Sequence, residues 1–406
     1  MEQGAIVRAR APAAATVHAP RTDTPNLHDQ LRLVTIVKSF APGGVERVAL
    51  RLNAEWRRTG VSARVITAST NGKDDASAGT DYAAIPDGSW FGRHFRTLWM
   101  LWHLPAMIRA GQADVIFCPG NTYTLIVVLL KIVLGGECPP IMAKISNDLH
   151  RRDMNPALRF FYHRWLWLQG RLIDQFVAIS PAMADEIHQR MKVGPDRVAV
   201  INDPVLNAGE LFECGGRARR PGRSGRRFIA VGRLVPQKNF ALLLDAFART
   251  ARGDDRLIIL GDGVERAALE RQAARLGIAA RVAMPGHVAD VRSWLADADI
   301  FCMSSNFEGV PAVVIEAIAA GLPVVSTDCS AGMTDLIGHG RFGKLVPVGD
   351  ARALALAMDM APVGRDLSEE AIRHVRTFTM EAGAVAYLSL ARSIFARHEA
   401  SQSARV

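Results

Sequence analysis

Glu308 and Glu316 stand eight positions apart in SSNFEGVPAVVIEAIAAGLPVV, residues 304–325. Pro311 suits the first turn of a helix, where its missing N–H costs nothing. Residues 312–320 are good or tolerated helix formers, Gly321 closes the helix, and Pro323 prevents its continuation. Residues 322–326 then read as a short buried strand. Glu308 therefore sits in the loop before a helix N-terminus, and Glu316 in the helix's second turn. A helix N-terminus presents unpaired N–H groups and partial positive charge, a seat for phosphate. Two carboxylates beside phosphate would repel it, so they suit neutral hydroxyls, such as those of a ribose and a hexose. Val310, Val313, Val314 and Ile315 make the surroundings apolar, and buried carboxylates need partners. The segment reads as a sugar-nucleotide site.

Two cations complement the acids. Arg233 and Lys238 lie at the end of an apolar strand, residues 228–231, and in the loop after it. Ligands of open α/β sheets bind at such strand ends. Arginine forks two hydrogen bonds to phosphate oxygens, and lysine supplies a movable point charge. Gly43 and Gly44 precede an amphipathic helix, where glycine lets a ligand approach the backbone closely. Asp262, in the GDG at 261–263, reads as a turn former. Asp297 and Asp299 straddle a helix end and a strand start, where acids cap and turn the chain.

These residues need a frame. Buried parallel strands are expected at 33–37, 61–67, 114–118, 141–145, 176–179 and 198–201, alternating with helices, the first of which ends at Gly60. A second run follows at 228–231, 257–260, 282–284, 300–303 and 324–326. Between the runs, residues 207–227 are rich in Gly, Pro and Arg and read as a linker. The pattern predicts an α/β fold of two doubly wound Rossmann-like domains, 31–206 and 228–380. Residues 381–406 follow as a C-terminal helix, with an apolar stripe over 382–398.

The chain of 406 residues suits two large domains, and its net charge of +9 favours an anionic partner: nucleotide phosphates or acidic lipid. No nucleic-acid module is recognisable, so no nucleic-acid partner is expected. Residues 1–30 lack an apolar signal region and read as a disordered tail. The five scattered cysteines read as reduced and buried, which points to the cytosol. Residues 124–134, apolar but for Lys131, are too short to span a membrane and read as a buried core helix. Residues 90–109 and 150–171 interleave Trp and Phe with Arg and His, including Trp99, Trp102, Phe160, Phe161 and Arg164. Such helices lie on anionic membrane interfaces, so a peripheral position on the inner face of the cytoplasmic membrane is expected.

The glutamate segment also resembles the E-x7-E signature of the retaining glycosyltransferases of family 4, the group 1 glycosyltransferases. GGVERV at 43–48, VGRLVPQKNFALLLDAF at 231–247, ILGDG at 259–263 and PGHVADVRSWLADADIFCMSS at 285–305 come in that family's order and spacing. The resemblance implies the GT-B fold, with the last helix crossing back to the N-terminal domain. It implies a donor site in which Arg233 and Lys238 hold the diphosphate of an activated nucleotide sugar, with a UDP-sugar expected. The Gly44 amide contacts the donor phosphate beside Gly43. Glu308 accepts from donor-sugar hydroxyls and Glu316 from the ribose. Gly309, Val310 and Pro311 complete that loop, and backbone groups at His287 and Val288 pair with the base. The acceptor implied is a saccharide or lipid-linked saccharide of cell-surface polysaccharide or glycolipid assembly. No cofactor and no metal are expected, although Asp297 and Asp299 are spaced like a metal motif of another transferase fold.

The chain departs from the family at Asn147. It stands where many members carry an acceptor-side histidine, and an amide cannot act as a base at neutral pH. Asp148 and His150 are alternative polar contacts. Two other functions share these features: a sugar-nucleotide epimerase of the same architecture, and a non-catalytic nucleotide-sugar-binding partner subunit. A retaining glycosidase also uses two carboxylates but needs no phosphate clamp.

Overall fold

The structure, a computed structural model, describes residues 31–40, 43–71, 79–86, 96–146, 149, 155–214, 224–364 and 368–404. The expected tail at 1–30, the start of the first aromatic segment, and Asn147, Asp148 and His150 lie outside them.

Among the described residues, thirteen strands form two all-parallel sheets. The first contains β1 (Arg32–Val37), β2 (Ser62–Thr67), β3 (Tyr82–Ala84), β4 (Val115–Cys118), β5 (Ile141–Ile145), β6 (Gln175–Ala178) and β7 (Val198–Val200). Their spatial order is β3-β2-β1-β4-β5-β6-β7. The second contains β8 (Arg227–Val231), β9 (Arg256–Leu260), β10 (Val282–Gly286), β11 (Ile300–Met303), β12 (Val324–Thr327) and β13 (Gly343–Val346), in the order β10-β9-β8-β11-β12-β13. β4, β5, β6, β11 and β12 are buried along their whole length. That is why β4 and β11 read as unbroken apolar runs, while β5, β6 and β12 bury Lys144, Gln175, Ser326 and Thr327 among apolar neighbours.

The helices are α1 (Gly44–Arg58), α2 (Arg96–Gly111), α3 (Thr124–Leu134), α4 (Pro156–Leu172), α5 (Pro181–Met191), α6 (Ala208–Cys214) and α7 (Phe240–Thr250). Then come α8 (Arg266–Arg275), α9 (Val291–Ala296), α10 (Ala312–Ala319), α11 (Met333–Leu336), α12 (Ala351–Met360), α13 (Glu369–Arg376) and α14 (Met380–Ser403).

Strand order reverses between β1 and β4 and again between β8 and β11. Both reversals open crevices at the strand C-termini, where open α/β sheets bind ligands. The first crevice receives Gly43–Gly44, and the second receives the loops 232–239 and 304–311.

Two passages connect the halves and run side by side. Val205 N–H donates to the Phe378 carbonyl at 2.8 Å, and Met380 N–H to the Leu206 carbonyl at 2.7 Å. α14 then lies on α1, where Trp56 Nε1 donates to the Ala384 carbonyl at 3.0 Å. Trp56, Phe117 and Tyr387 stack edge-on beneath it.

Several elements differ from the sequence reading. α3 is not wholly buried: Leu125, Ile132 and Val133 are exposed on its outer side. Its apolar residues surround the helix, so composition gave no hint of an outer face. Residues 208–214 of the expected linker form α6. Pro285 and Gly286 belong to β10 rather than to the loop after it. Pro311 is the N-cap of α10 with ψ of 94°, one position before the first turn. Cys118, Cys138, Cys302 and Cys329 are free and buried, and burial raises the Cys118 thiol to about 12.

Candidate functional site

The loop after β8 is knitted to the loop after β11. Asn306 N–H donates to the Gln237 carbonyl at 2.8 Å, and Asn306 Nδ2 to the Pro236 carbonyl at 3.0 Å. Asn239, with a left-handed φ of 46°, caps α7 by accepting from Leu242 N–H, and its Nδ2 donates to Asn306 Oδ1. Ser304 Oγ donates to the Lys238 carbonyl.

This lattice delivers Lys238 to Glu308. Lys238 Nζ donates to Glu308 Oε1 at 2.6 Å, and the two side chains are 17% and 9% exposed. Ser305 Oγ donates to the same oxygen at 2.7 Å. Gly232 leaves the room: a β-carbon there would lie 3.1 Å from Lys238 Cε. Lys238 lies in the loop, as expected, but its charge does not stand free in solvent. Glu308, seventy positions away, holds it in the wall. Arg233 is exposed and, among the described residues, no hydrogen bond or ion pair holds its guanidinium.

The GDG segment packs under the same loop. Leu234 N–H donates to the Asp262 carbonyl at 2.9 Å. Asp262 Oδ1 accepts from Gly263 N–H at 2.7 Å and from Arg266 Nε at 2.9 Å, the turn role read from sequence. Asp297 pairs with Arg227, and Asp299 accepts from Arg227 N–H at 2.8 Å. Both acids thus serve the start of β8, at the sheet end away from the crevice. His287 is exposed and Val288 half-buried, following Gly286 with φ of 93°.

Between the halves lies a cleft of about 1010 Å³. Gly44 and α1 form one wall; Gly309, Val310 and Glu316 form the other. Arg233, Lys238 and Glu308 sit outside this volume, in the adjoining crevice of the second sheet. Val310 packs against the apolar cores of both halves. The Glu316 carboxylate has no hydrogen-bond partner among the described residues. Burial raises its carboxyl above the ordinary glutamate range, and Glu210 adds to the effect, while Arg292, Arg47 and Arg51 oppose it. Glu210 is held by Arg51 at 2.6 Å.

Glu46 was missed by sequence reasoning. It lies in the first turn of α1, and its carboxylate folds back so that a β-carbon at Gly43 would collide with it. It accepts from the Tyr123 hydroxyl. An acid there complements the helix dipole, and it covers the Gly43 side of the helix N-terminus. Gly44 stays open, with nothing within 4 Å of a β-carbon built on it. An acidic residue three after the cap was the available signal.

Two family models match the chain. One, described as Glycosyl transferases group 1, covers residues 225–361; the other, described as Glycosyltransferase Family 4, covers residues 42–205. The lipopolysaccharide core biosynthesis glycosyltransferase LpsE of Rhizobium meliloti is 36% identical over 170 residues, 41% of this chain and 49% of that protein. The N-acetylgalactosamine-N,N'-diacetylbacillosaminyl-diphospho-undecaprenol 4-alpha-N-acetylgalactosaminyltransferase of Campylobacter jejuni is 31% identical over 182 residues, 45% of this chain and 48% of that protein. The chain spans about half the length of these curated relatives. The crystal structure of Anabaena HepE in complex with UDP has a TM-score of 0.65 at 18% identity, covering 92% of this chain and 100% of that one. That likeness is one of fold, the GT-B pair of doubly wound sheets expected from the sequence.

Proposed function

We propose, from the premise that this chain belongs to the group 1 glycosyltransferases of family 4, that it transfers a sugar from a nucleotide sugar to a saccharide or lipid-linked acceptor. The product belongs to lipopolysaccharide or polysaccharide assembly, as the names of its relatives suggest. The observation that carries the reading is the pairing of Lys238 with Glu308 beside a cleft into which Glu316 presents a half-buried carboxylate without a described partner. Such a site has anion-binding and hydroxyl-binding groups side by side, which a sugar diphosphate needs.

In this reading residues 31–206 and 228–380 act as domains that close on the substrates. Arg233 and Lys238 take the donor diphosphate and offset charge on the leaving nucleotide. The Gly44 amide adds a contact at the positive end of α1. Glu308 accepts from sugar hydroxyls and Glu316 from the ribose, while the backbone at 287–288 reads the base of a UDP-sugar. Transfer retains configuration. The bond from the anomeric carbon to the phosphate oxygen breaks as the acceptor oxygen bonds on the same face. The departing phosphate oxygen takes the acceptor proton. No protein base is then needed at Asn147, and no metal is needed beside two cations.

The N-terminal half carries an apolar outer surface that fits an anionic membrane. α2 packs on α3, and α3 on α4. Trp102 is 80% exposed, Val133 60%, Phe160 63% and Phe161 69%. Arg164 and Arg171 lie 5.1 and 4.8 Å from the Trp167 ring centre. A single exposed apolar residue is ordinary, but several on three neighbouring helices, with cations among them, fit a binding face. No helix among the described residues is long and apolar enough to cross a membrane, so the contact is peripheral.

A thermal-shift panel of nucleotide sugars tests the donor reading, because ligand binding raises stability as RT ln(1 + [L]/Kd). A UDP-sugar raises Tm, and NMR of the product shows the donor's anomeric configuration. A chain that shifts with no nucleotide sugar, or a product of inverted configuration, overturns the corresponding part.

A further inference from the structure

The cleft wall formed by α1 carries a charge that the donor reading leaves unused. Arg47, one turn after Gly44, lines the cleft and is exposed. The other cations of that wall are engaged. Arg51 donates to Glu210 and to the Val205 carbonyl, Arg58 pairs with Glu55, and Lys144 pairs with Asp203. Among the described residues, no hydrogen bond or ion pair holds the Arg47 guanidinium. It sits across the cleft from Glu316, close enough to favour that carboxylate's charged form, yet the two make no direct pair. The gap between them opens beside Gly44, whose backbone is accessible.

We propose that Arg47 is a third cation on the donor diphosphate, supplied by the half of the protein opposite Arg233 and Lys238. The inference rests on the nucleotide-sugar reading of the cleft. A ribose held by Glu316 leads its diphosphate along the cleft past the N-terminus of α1. There Arg47 forks onto phosphate oxygens, as a guanidinium does. The contact spans the cleft, so anion binding draws the two halves together. Nucleosides, which lack phosphate, gain nothing from it. Arg47 therefore separates ligands by phosphate, not by base or sugar.

The test is calorimetric titration of the full chain with UDP and with uridine, in wild type, Arg47→Gln and Arg47→Lys. Losing one charge-assisted hydrogen-bonding group weakens UDP binding by about ten- to a hundredfold in Arg47→Gln. Uridine affinity stays unchanged. Arg47→Lys recovers part of the loss, since it keeps the charge but not the fork. The salt dependence of UDP binding also becomes shallower in Arg47→Gln. With turnover, the donor KM rises more than kcat falls. Unchanged UDP affinity in Arg47→Gln overturns this proposal alone, as does an equal loss for uridine. A wild type that binds neither UDP nor any other nucleoside diphosphate overturns it together with the donor reading.

Discussion

Lys238→Ala separates the roles of the two cations because only one of them is built into the wall. Nζ and Oε1 lie 2.6 Å apart. At an effective dielectric of about 20 their gross attraction is ~6 kcal/mol. Desolvation of two mostly buried charges offsets most of this. What remains on removing Lys238 is the cost of a 9% exposed Glu308 with Ser305 as its nearest donor, about 1–3 kcal/mol. Arg233→Ala removes an exposed side chain without a described partner and leaves stability within ~0.5 kcal/mol. Both substitutions lower turnover by about a hundredfold, the scale of one transition-state charge contact. Urea unfolding followed by circular dichroism reads the first effect, and donor turnover the second. The double variant Lys238→Ala with Glu308→Gln regains most of the lost stability, because no charge is left stranded. If Lys238→Ala is as stable as wild type, the pair contributes nothing to the resting fold. If it also turns over normally, Lys238 is not the diphosphate cation.

Three further outcomes follow from the same geometry. Burial holds the Glu316 carboxyl above its ordinary range. The folded state therefore keeps that proton longer than the unfolded chain, and stability falls as pH rises from the unfolded value through the folded one. Glu316→Gln should melt above wild type at pH 7, with the gap closing below about pH 4; a lower Tm at pH 7 contradicts the burial argument. EDTA should leave turnover unchanged, since in the proposed site Arg233 and Lys238 supply the positive charge that a metal would otherwise provide. Activity lost to chelation and restored by Mg²⁺ refutes this. Changing Trp102, Phe160 and Phe161 to Ser, or Arg164 and Arg171 to Glu, should reduce sedimentation with anionic vesicles. Wild-type pelleting by both variants shows that the apolar face is not a lipid surface.

Strands in the sheet centres were legible because burial on both faces demands mostly apolar residues, with Lys144 of β5 and Gln175 of β6 as buried exceptions. β3 and β13 were not. Each is a short sheet edge with exposed positions, Tyr82 and Ala84 in one and Lys344 in the other, so neither makes an apolar run. The site residues were legible as types near strand ends, since glycine, arginine and glutamate stand out beside buried strands. Their partnerships were not. Lys238 meets Glu308 across seventy positions because β8 and β11 are neighbours at the strand reversal, and only strand order reveals that. Arg47 and Glu316, from different halves, line one cleft without pairing, and the order of strands within either sheet does not show it.

The resting pair has a consequence for the proposed cycle. Lys238 and Glu308 neutralise one another before any ligand arrives, so a ligand must compensate both. A nucleoside diphosphate offers an anion to Lys238 but nothing to Glu308, whose carboxylate is then left nearly buried with only the neutral donors Ser305 and, at 3.4 Å, Gln237. A nucleotide sugar offers the anion and also hydroxyl donors for Glu308. Donor should therefore bind more tightly than the nucleoside diphosphate product. Transfer removes the sugar, Glu308 reclaims Lys238, and the product is expelled by the same pair that admitted the donor. Glu308→Gln tests the competition directly. With no carboxylate to return to, Lys238 stays available, so UDP should bind this variant more tightly than wild type while the UDP-sugar gains nothing or weakens. Calorimetry measures both. UDP affinity equal to wild type means that breaking the pair costs nothing, and product release must then be driven by another step.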